Sequence, residues 1–239
     1  MLIDKRNFLT WIWHSRAIRF SFSHIYLDAF DQKGHFGYKR KAFTLQTKEL
    51  DADSDKLFEQ CSNTVRNEIR RAERLNCTYQ TSQDSQQFLP ILNATAQAKH
   101  LIKKTAKTFA NKPNSIFTSS LLNGSIAACH YYLIDKEEKI ANLLFSGSAR
   151  YLSIDEYERK NITFSHRYLL FKDMLMLKGQ GIQVIKLGKL NLDSDGNPIG
   201  ASNFRSGFNC TIQKSYNYYP WGYYIFNEIR EKLKILRSA

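Results

Sequence analysis

Residues 161–208 read NITFSHRYLLFKDMLMLKGQGIQVIKLGKLNLDSDGNPIGASNFRSGF, and this stretch decides the fold. Large apolar side chains recur in its first part at steps of four, three and four residues, at Phe164, Tyr168, Phe171 and Leu175. This spacing predicts a helix with one apolar face. The β-branched segment 183–187 then predicts a short strand, which ends at Gly188. A loop at 193–200 and the closing segment 203–208 complete the unit.

This helix–strand–loop unit resembles the C-terminal part of FemAB-type acyltransferases, which belong to the GNAT superfamily. The family pattern is a helix, a glycine, a strand ending in Asp-Leu-Gly, a loop and then Phe-Lys-x-x-Phe-Gly. The chain departs from this pattern twice, because Lys186 stands at the aspartate and Arg205 at the lysine. A second segment, VRNEIRRAE at 65–73, resembles the R-x-x-I-R-K-A helix of the same family. Taken alone, that segment is only an amphipathic basic helix, which is a common pattern.

The rest of the chain follows the element order of a GNAT fold. The pair Asn123-Gly124 lies between the β-like runs 115–122 and 125–134, which predicts a tight hairpin. The run 140–146 predicts a third antiparallel strand. The upstream pattern predicts a helix at 54–75 with Ser54 as its N-cap, a strand at 77–81 and a helix at 84–103. The resemblance therefore implies an α/β GNAT fold, in which helices flank a mixed, mostly antiparallel sheet.

We expect a single GNAT-like domain over residues 1–239. Within it, residues 41–218 would form the family-like core, residues 1–40 would add N-terminal strands, and residues 222–237 would form a basic C-terminal helix. Apolar and polar residues alternate in the N-terminal part, which predicts a half-buried strand that includes Ile18, Phe20 and Phe22.

Composition and charge limit the partners that this chain can have. Hydrophobic residues make up 43% and aromatic residues 13% of the 239 positions, enough to form a packed core. The net charge is +13 and the sequence pI is about 9.5. Such a charge favours anionic partners: tRNA, nucleotide-activated substrates, phosphopantetheine carriers or acidic lipid headgroups. The alternative is that the charge serves solubility alone.

Several classes of protein are disfavoured by the sequence. The four cysteines show no CxxC spacing, which favours reduced thiols over a zinc site: Cys61, Cys77, Cys129 and Cys210. No apolar run approaches the roughly 18 residues of a membrane span, and no N-terminal signal is evident. We therefore expect a cytoplasmic protein, with the inner face of the membrane as an alternative. The acidic run at 193–197 lacks the closing glutamate of a calcium loop, so we interpret it as a turn.

The resemblance places the reaction where two strands diverge, namely the strand ending near Phe145 and Ser146 and the strand at 182–187. Classical acetyl-CoA enzymes of the superfamily follow the first strand with Arg/Gln-x-x-Gly-x-Gly/Ala, whose N–H groups hold a pyrophosphate. Residues 146–151 read SGSARY and lack this motif. The difference weighs against ordinary acetyl-CoA binding and favours the FemAB branch.

Arg205 and His166 are the candidate catalytic residues. The resemblance implies that the Arg205 cation stabilises charge on the reacting carbonyl, and it cannot act as a base because arginine keeps its proton. We expect Arg205 to carry little core packing, and a surface arginine is the alternative. His166 is a candidate base, with a structural histidine as the alternative, and His130 ranks below it. Contacts with the substrate are predicted for Phe204, Phe145, Ser146, Gly147, Asn161, Arg66 and Arg70.

The function implied by the resemblance is acyl or aminoacyl transfer to an amino group, on an activated sugar or a cell-envelope precursor. The donor stays open between an acyl-CoA, an acyl carrier protein and an aminoacyl-tRNA, and no resident cofactor or metal is predicted. An anionic membrane surface is a further candidate partner, and the sequence leaves the oligomeric state open. The alternatives are a basic module that binds nucleic acid or a membrane surface, and a catalytically inactive GNAT scaffold.

Overall fold

The computed structural model describes residues 1–6, 8–110, 112 and 114–238 of the chain. In chain order its elements are β1 (Leu2–Arg6), β2 (Leu9–Trp13), β3 (His24–Ala29), β4 (Tyr38–Glu49), α1 (Ser54–Glu59), α2 (Asn63–Arg74), β5 (Thr78–Ser82), α3 (Leu89–Ala98), α4 (Ala106–Phe109), β6 (Ser115–Leu122), β7 (Ser125–Asp135), β8 (Ile140–Ser148), α5 (Glu156–Gly179), β9 (Val184–Lys189), α6 (Ala201–Ser206), β10 (Thr211–Pro220) and α7 (Trp221–Ser238). Short 3-10 turns lie at Gln86–Phe88 and Ala149–Tyr151.

The chain divides into two compact units. The larger is Gln46–Ile212, and the smaller combines Met1–Leu45 with Gln213–Ala239. The predicted core of residues 41–218 has bounds close to those of the larger unit, and the single-domain assignment stays a prediction. No helix among the described residues is both long and apolar enough to cross a membrane.

In the smaller unit the strands follow the order β1-β2-β3-β10, and α7 forms the predicted C-terminal helix. The predicted strand through Ile18, Phe20 and Phe22 is wrong, because residues 17–23 form a loop. At Arg19 and Ser21 the backbone of this loop bonds to tyrosine hydroxyls. The Tyr26 hydroxyl donates to the Arg19 carbonyl (2.9 Å), and the Tyr38 hydroxyl donates to the Ser21 carbonyl (3.0 Å).

The larger unit contains a mixed sheet in the order β4-β9-β8-β7-β6-β5. The pairs from β5 to β8 are antiparallel, and β8 pairs with β9 in parallel. The predicted hairpin is confirmed, since Asn123 and Gly124 both have positive φ (51° and 78°) between β6 and β7. Positive φ at both turn residues suits the tight turns that join twisted strands.

The predicted helix at 54–75 is two helices, α1 and α2. The N-cap of α1 is Asp53, whose side chain accepts from the Lys56 N–H (2.8 Å), and Ser54 is the first helical residue. The Ser62 hydroxyl accepts from the Val65 N–H (3.3 Å) and begins α2. Apolar side chains of α1, α2, α5 and β9 then pack into one core, which includes Leu57, Val65, Ile69, Leu170, Met174, Leu177 and Ile185.

Strands β8 and β9 diverge, and their divergence creates the space for a site. They pair only over three residues, from Ile140 opposite Val184 to Asn142 opposite Lys186. On the other edge of β8, the register with β7 shifts so that Leu144 is an extra residue. A bulge of this kind bends and twists its strand. The predicted divergence near Phe145 is therefore present.

Candidate active site

A cavity of about 670 Å³ opens in the larger unit at the point where β8 and β9 diverge. Its wall is built from α3, the end of β8, α5, the end of β9 and α6. Six of the predicted site residues line this cavity: Phe145, Ser146, Gly147, His166, Phe204 and Arg205. The other three predicted contacts do not line it: Asn161, Arg66 and Arg70.

Arg205 is held in place by backbone carbonyls. Its Nε donates to the Ala201 carbonyl (2.9 Å), and its Nη1 donates to the Leu187 carbonyl (2.8 Å) at the end of β9. Gly188, at a φ of 116°, lets the guanidinium approach, since a Cβ there would lie 3.0 Å from Nη1. Arg205 is only 8% exposed, so the expectation that it carries little packing was wrong.

No carboxylate of a described residue pairs with the Arg205 guanidinium. Burial lowers the pKa of Arg205, but arginine remains a cation in proteins. Because the buried guanidinium is bonded only to carbonyls, its positive charge can interact with a negatively charged ligand in the cavity. This arrangement suits the stabilisation of negative charge on a reacting oxygen.

His166 reaches the cavity from α5 and bonds inward through one nitrogen. Its Nε2 lies 2.9 Å from Nε2 of His130 and 3.1 Å from the Ser146 Oγ. The Phe204 ring packs against the imidazole, with 4.6 Å between ring centroids. Burial lowers the pKa of His166 well below its usual value, and the nearby cations Arg167, Lys99 and Arg150 add to this effect. His166 is therefore neutral at neutral pH, which is the form that a base requires.

Behind His166 lies a fully buried carboxylate. The His130 Nδ1 is 2.6 Å from an Asp173 oxygen, and these side chains are 1% and 0% exposed. Asp173 also accepts hydrogen bonds from the hydroxyls of Tyr132 (2.9 Å) and Tyr79 (3.1 Å). Burial first, then the Asp173 charge, raise the pKa of both tyrosines, so both remain donors.

The hydrogen bonds fit one assignment of protons along these side chains. An Asp173 carboxylate can only accept, so Nδ1 of His130 carries a proton, and in a neutral imidazole Nε2 then has a free lone pair. That lone pair accepts from Nε2–H of His166, which leaves Nδ1 of His166 unprotonated. Ser146 then faces an N–H and not a lone pair, so this arrangement does not activate its hydroxyl as a nucleophile. The chain Asp173–His130–His166, named the proton relay below, therefore presents a base.

The rim of the cavity is cationic. Lys99, Lys104 and Arg150 line it together with Arg205, and its lining includes no Asp or Glu. The Lys104 ammonium lies over the Phe145 ring, 4.7 Å from its centroid. Partial burial and then the charges of Arg150 and Arg205 lower the pKa of Lys99. Repulsion among these cations decreases when an anion binds, so the cavity suits a ligand with phosphate groups.

The two segments that resemble the family meet in the structure. Arg167 of α5 pairs through Nε with Glu68 of α2 (3.1 Å) and donates to the Phe204 carbonyl of α6. Arg66 donates to the Cys61 carbonyl (3.0 Å), and the Arg70 guanidinium lies over the Phe58 ring (5.3 Å). These two arginines of α2 thus support the local structure, while α2 positions α6 through Glu68 and Arg167.

Asp173 was missed in the sequence and His130 was ranked too low. One signal was available, because Asp173 follows His166 by two helical turns and so lies on the same face of an apolar helix. Among the residues that the structure describes, no group of three or more His, Cys, Asp or Glu is placed to hold a metal ion. The four cysteines are free thiols.

The comparisons identify the fold. No protein-family model and no curated protein sequence matches the chain. Among solved structures, FemX matches with a TM-score of 0.62 and 10% identity, over 81% of this chain and 68% of FemX. The C-terminal domain of a protein assigned as a lysylphosphatidylglycerol synthetase from Agrobacterium fabrum has a TM-score of 0.52 and 14% identity, over 82% of this chain and 67% of that one. L-PGS from Bacillus licheniformis has a TM-score of 0.52 and 15% identity, with the same two coverages.

Proposed function

We propose that the protein is an acyltransferase or aminoacyltransferase that acylates an amino group in the cavity between β8 and β9. The predicted α/β GNAT-like fold is confirmed by the structural likeness to FemX and the other two solved structures, and this fold supports the proposal. The observation that supports this proposal is the proton relay, because it ends at His166, which lines the same cavity as the Arg205 cation.

The proposed reaction assigns His166 and Arg205 separate tasks. Nδ1 of His166 takes the proton from the attacking amine as the new N–C bond forms. The Arg205 guanidinium stabilises the negative charge on the former carbonyl oxygen. The C–S or C–O bond to the donor then breaks, and the proton held by His166 passes to the leaving thiol or hydroxyl. His130 and Asp173 do not touch the substrate and serve as positioning residues that fix the tautomer of His166.

The substrates are proposed by class. The cationic rim favours a donor with phosphate groups, which fits an acyl-CoA, the phosphopantetheine arm of an acyl carrier protein, or an aminoacyl-tRNA. The acceptor is proposed to be the amino group of an activated sugar or envelope precursor, met in the cytoplasm or at the inner face of the membrane. The structural likeness to FemX and to a protein assigned as a lysylphosphatidylglycerol synthetase supports envelope chemistry.

A screen of donors against acceptors tests the proposal. Purified protein is incubated with each donor class and a set of amino-bearing nucleotide sugars and envelope precursors, and products are detected by mass spectrometry. We expect one pair to give an acylated product with the wild type and almost none with His166→Ala. His35→Ala, which alters a histidine paired with Asp31 in the smaller unit, should retain full activity.

The two alternatives give different results in the same assay. An inactive scaffold would yield no product with any pair while still binding a donor analogue. A nucleic-acid module would bind generic RNA tightly and without dependence on an acyl group. Affinity for a phosphate-bearing donor should also fall steeply with added salt, whereas a flat response would favour the solubility interpretation of the charge.

A further inference from the structure

Three phenylalanines form an exposed aromatic cluster in the smaller unit. Phe20, Phe22 and Phe36 are 54%, 83% and 93% exposed. Their rings are neighbours, with centroids 5.0 Å apart for Phe20 and Phe22 and 6.1 Å apart for Phe20 and Phe36. Single exposed apolar residues are common on protein surfaces, but a contiguous aromatic patch indicates a site of interaction with a protein, a membrane or a ligand.

Two buried tyrosines hold the backbone of the loop that carries Phe20 and Phe22. The Tyr26 hydroxyl bonds to both the N–H and the carbonyl of Arg19, and the Tyr38 hydroxyl bonds to both backbone groups of Ser21. Both tyrosines are buried. Gly37, with a φ of 79°, makes room for the Phe20 ring, because a Cβ there would lie 2.1 Å from it. The exposure of Phe20 and Phe22 is therefore determined by the conformation of this loop.

The segment that contains the cluster is rich in basic residues. Residues 16–41 contain six Lys or Arg and two Asp. Both acidic residues have a histidine partner: Asp28 is buried and pairs with His14, and Asp31 pairs with His35. By contrast, Arg16, Arg19 and Lys33 are exposed on the loops that carry the phenylalanines. The patch thus combines apolar rings with cations and lacks an exposed carboxylate.

We propose that this surface, formed by Phe20, Phe22 and Phe36 with Arg16, Arg19 and Lys33, binds a bilayer that contains anionic lipid. Aromatic side chains favour the boundary between headgroups and acyl chains, and lysine and arginine are attracted to anionic headgroups. The exposed charged residues named for this surface are all cationic, which complements anionic lipid headgroups. The inference does not depend on the proposed reaction.

Co-flotation with vesicles tests this surface. Full-length protein is mixed with vesicles of phosphatidylcholine alone or of phosphatidylcholine with phosphatidylglycerol. We expect binding to the anionic vesicles that weakens with salt, and at least about tenfold weaker binding for Phe22→Ser/Phe36→Ser, from the area that two aromatic rings would bury. Arg16→Gln/Arg19→Gln should also weaken binding and reduce its salt dependence.

The control removes equally exposed apolar residues from the larger unit. Ile154 and Tyr157 are 97% and 70% exposed, and Ile154→Ser/Tyr157→Ser should bind like the wild type. Phe20 is left unchanged because it packs on Gly37, and thermal melts verify that each variant folds. The proposal is overturned if the phenylalanine variant binds as well as the wild type, or if neutral vesicles bind equally well. It is also overturned if the patch instead drives a concentration-dependent dimer that the same substitutions abolish.

Discussion

Each unit of the protein holds a buried imidazole–carboxylate pair, and the two pairs differ in what lies beyond them. In the larger unit, His130 Nδ1 is 2.6 Å from Asp173, and in the smaller unit, His14 Nε2 is 3.4 Å from Asp28. Both imidazoles are at most 1% exposed. By residue type and burial alone, the two pairs could not be distinguished.

The pair in the smaller unit supports an irregular backbone. His14 and Asp28 both adopt positive φ, at 55° and 50°, which is uncommon for residues other than glycine. The Ser215 hydroxyl donates to the Asp28 carboxylate, and the Asp28 N–H donates to the Asn217 side chain (2.9 Å). The hydrogen bonds of the His14–Asp28 pair thus join the loop after β2 to the irregular end of β3 and to β10.

The pair in the larger unit lies on strand β7 and helix α5, and its hydrogen bonds continue outward. His130 reaches His166, and His166 lines the cavity. We propose that the pair in the larger unit belongs to a site because His166 carries its hydrogen bonding to a cavity that a substrate can enter, whereas the described structure shows no such connection for the pair in the smaller unit. The predictions below test this difference, beginning with the largest effect.

Removing the imidazole of His166 should lower activity more than the other substitutions. His166→Ala should lower turnover by about 10²–10⁴-fold, the usual contribution of a general base, which is far more than any loss of folded protein would explain. His14→Ala should show the opposite pattern, with a lower melting temperature and unchanged turnover per folded molecule, because it removes a partner of Asp28. Steady-state kinetics and thermal melts of both variants verify the contrast. Equal losses of activity in the two would remove the distinction.

Arg205 should affect both activity and stability. Arg205→Ala should lower turnover by about 10²–10³-fold, the cost of losing one oxyanion donor. It should also destabilise the fold by roughly 1–3 kcal/mol, because the Leu187 and Ala201 carbonyls lose their partner. Arg205→Lys should retain part of the rate, since a cation remains. Normal turnover by Arg205→Ala on the true substrate would show that the arginine has no catalytic role.

Asp173→Asn should lower turnover at least about tenfold through the tautomer of His166. If the amide donates to His130 Nδ1, His130 must carry its proton on Nε2, and His166 then loses the free lone pair on Nδ1. Tyr132→Phe removes one donor to Asp173 but keeps the carboxylate, so it should be milder. Because a purely structural role would affect stability alone, kcat and its pH profile are measured beside the melting temperature.

The pH dependence of the rate is the smallest of the expected effects. An ordinary histidine has a pKa of about 6.5, and the pKa of His166 is lowered, so His166 should be unprotonated at pH 6.5 and above. The rate should therefore not change with pH in that range. It should fall only as the pH drops well below that value and the imidazole gains a proton. The cations that face His166 are Arg167, Lys99 and Arg150. A rate that falls through pH 6.5 would show an ordinary, solvated histidine.

Parts of this architecture could be predicted from sequence because their cause is local. The Asn123-Gly124 turn specifies its hairpin. The motif that ends at Phe208 indicates Arg205 as a candidate site residue. The alternation at Ile18–Phe22 gave a wrong prediction, because alternation does not determine where the backbone hydrogen bonds go. Tyr26 and Tyr38 satisfy that backbone, and they lie elsewhere in the chain.

The proton relay depends on packing between distant segments. His130 and Asp173 are 43 residues apart and meet only because β7 packs against α5. Residue spacing within one element cannot reveal such a pair, although an acidic residue two turns after His166 indicates the face to inspect. The family pattern has a lysine at the position of Arg205. Only the structure shows that the guanidinium of Arg205 faces β9.

The tautomers of the histidines test the account most directly, and the measurement needs no substrate. A long-range ¹H–¹⁵N correlation spectrum of ¹⁵N-histidine-labelled protein at neutral pH distinguishes the two ring nitrogens, and single His→Gln variants assign the six histidines. We predict a neutral His166 with its proton on Nε2 and a bare Nδ1, beside a His130 with its proton on Nδ1. An imidazolium at His166, or a proton on its Nδ1, would contradict the proton relay and the role of His166 as the base.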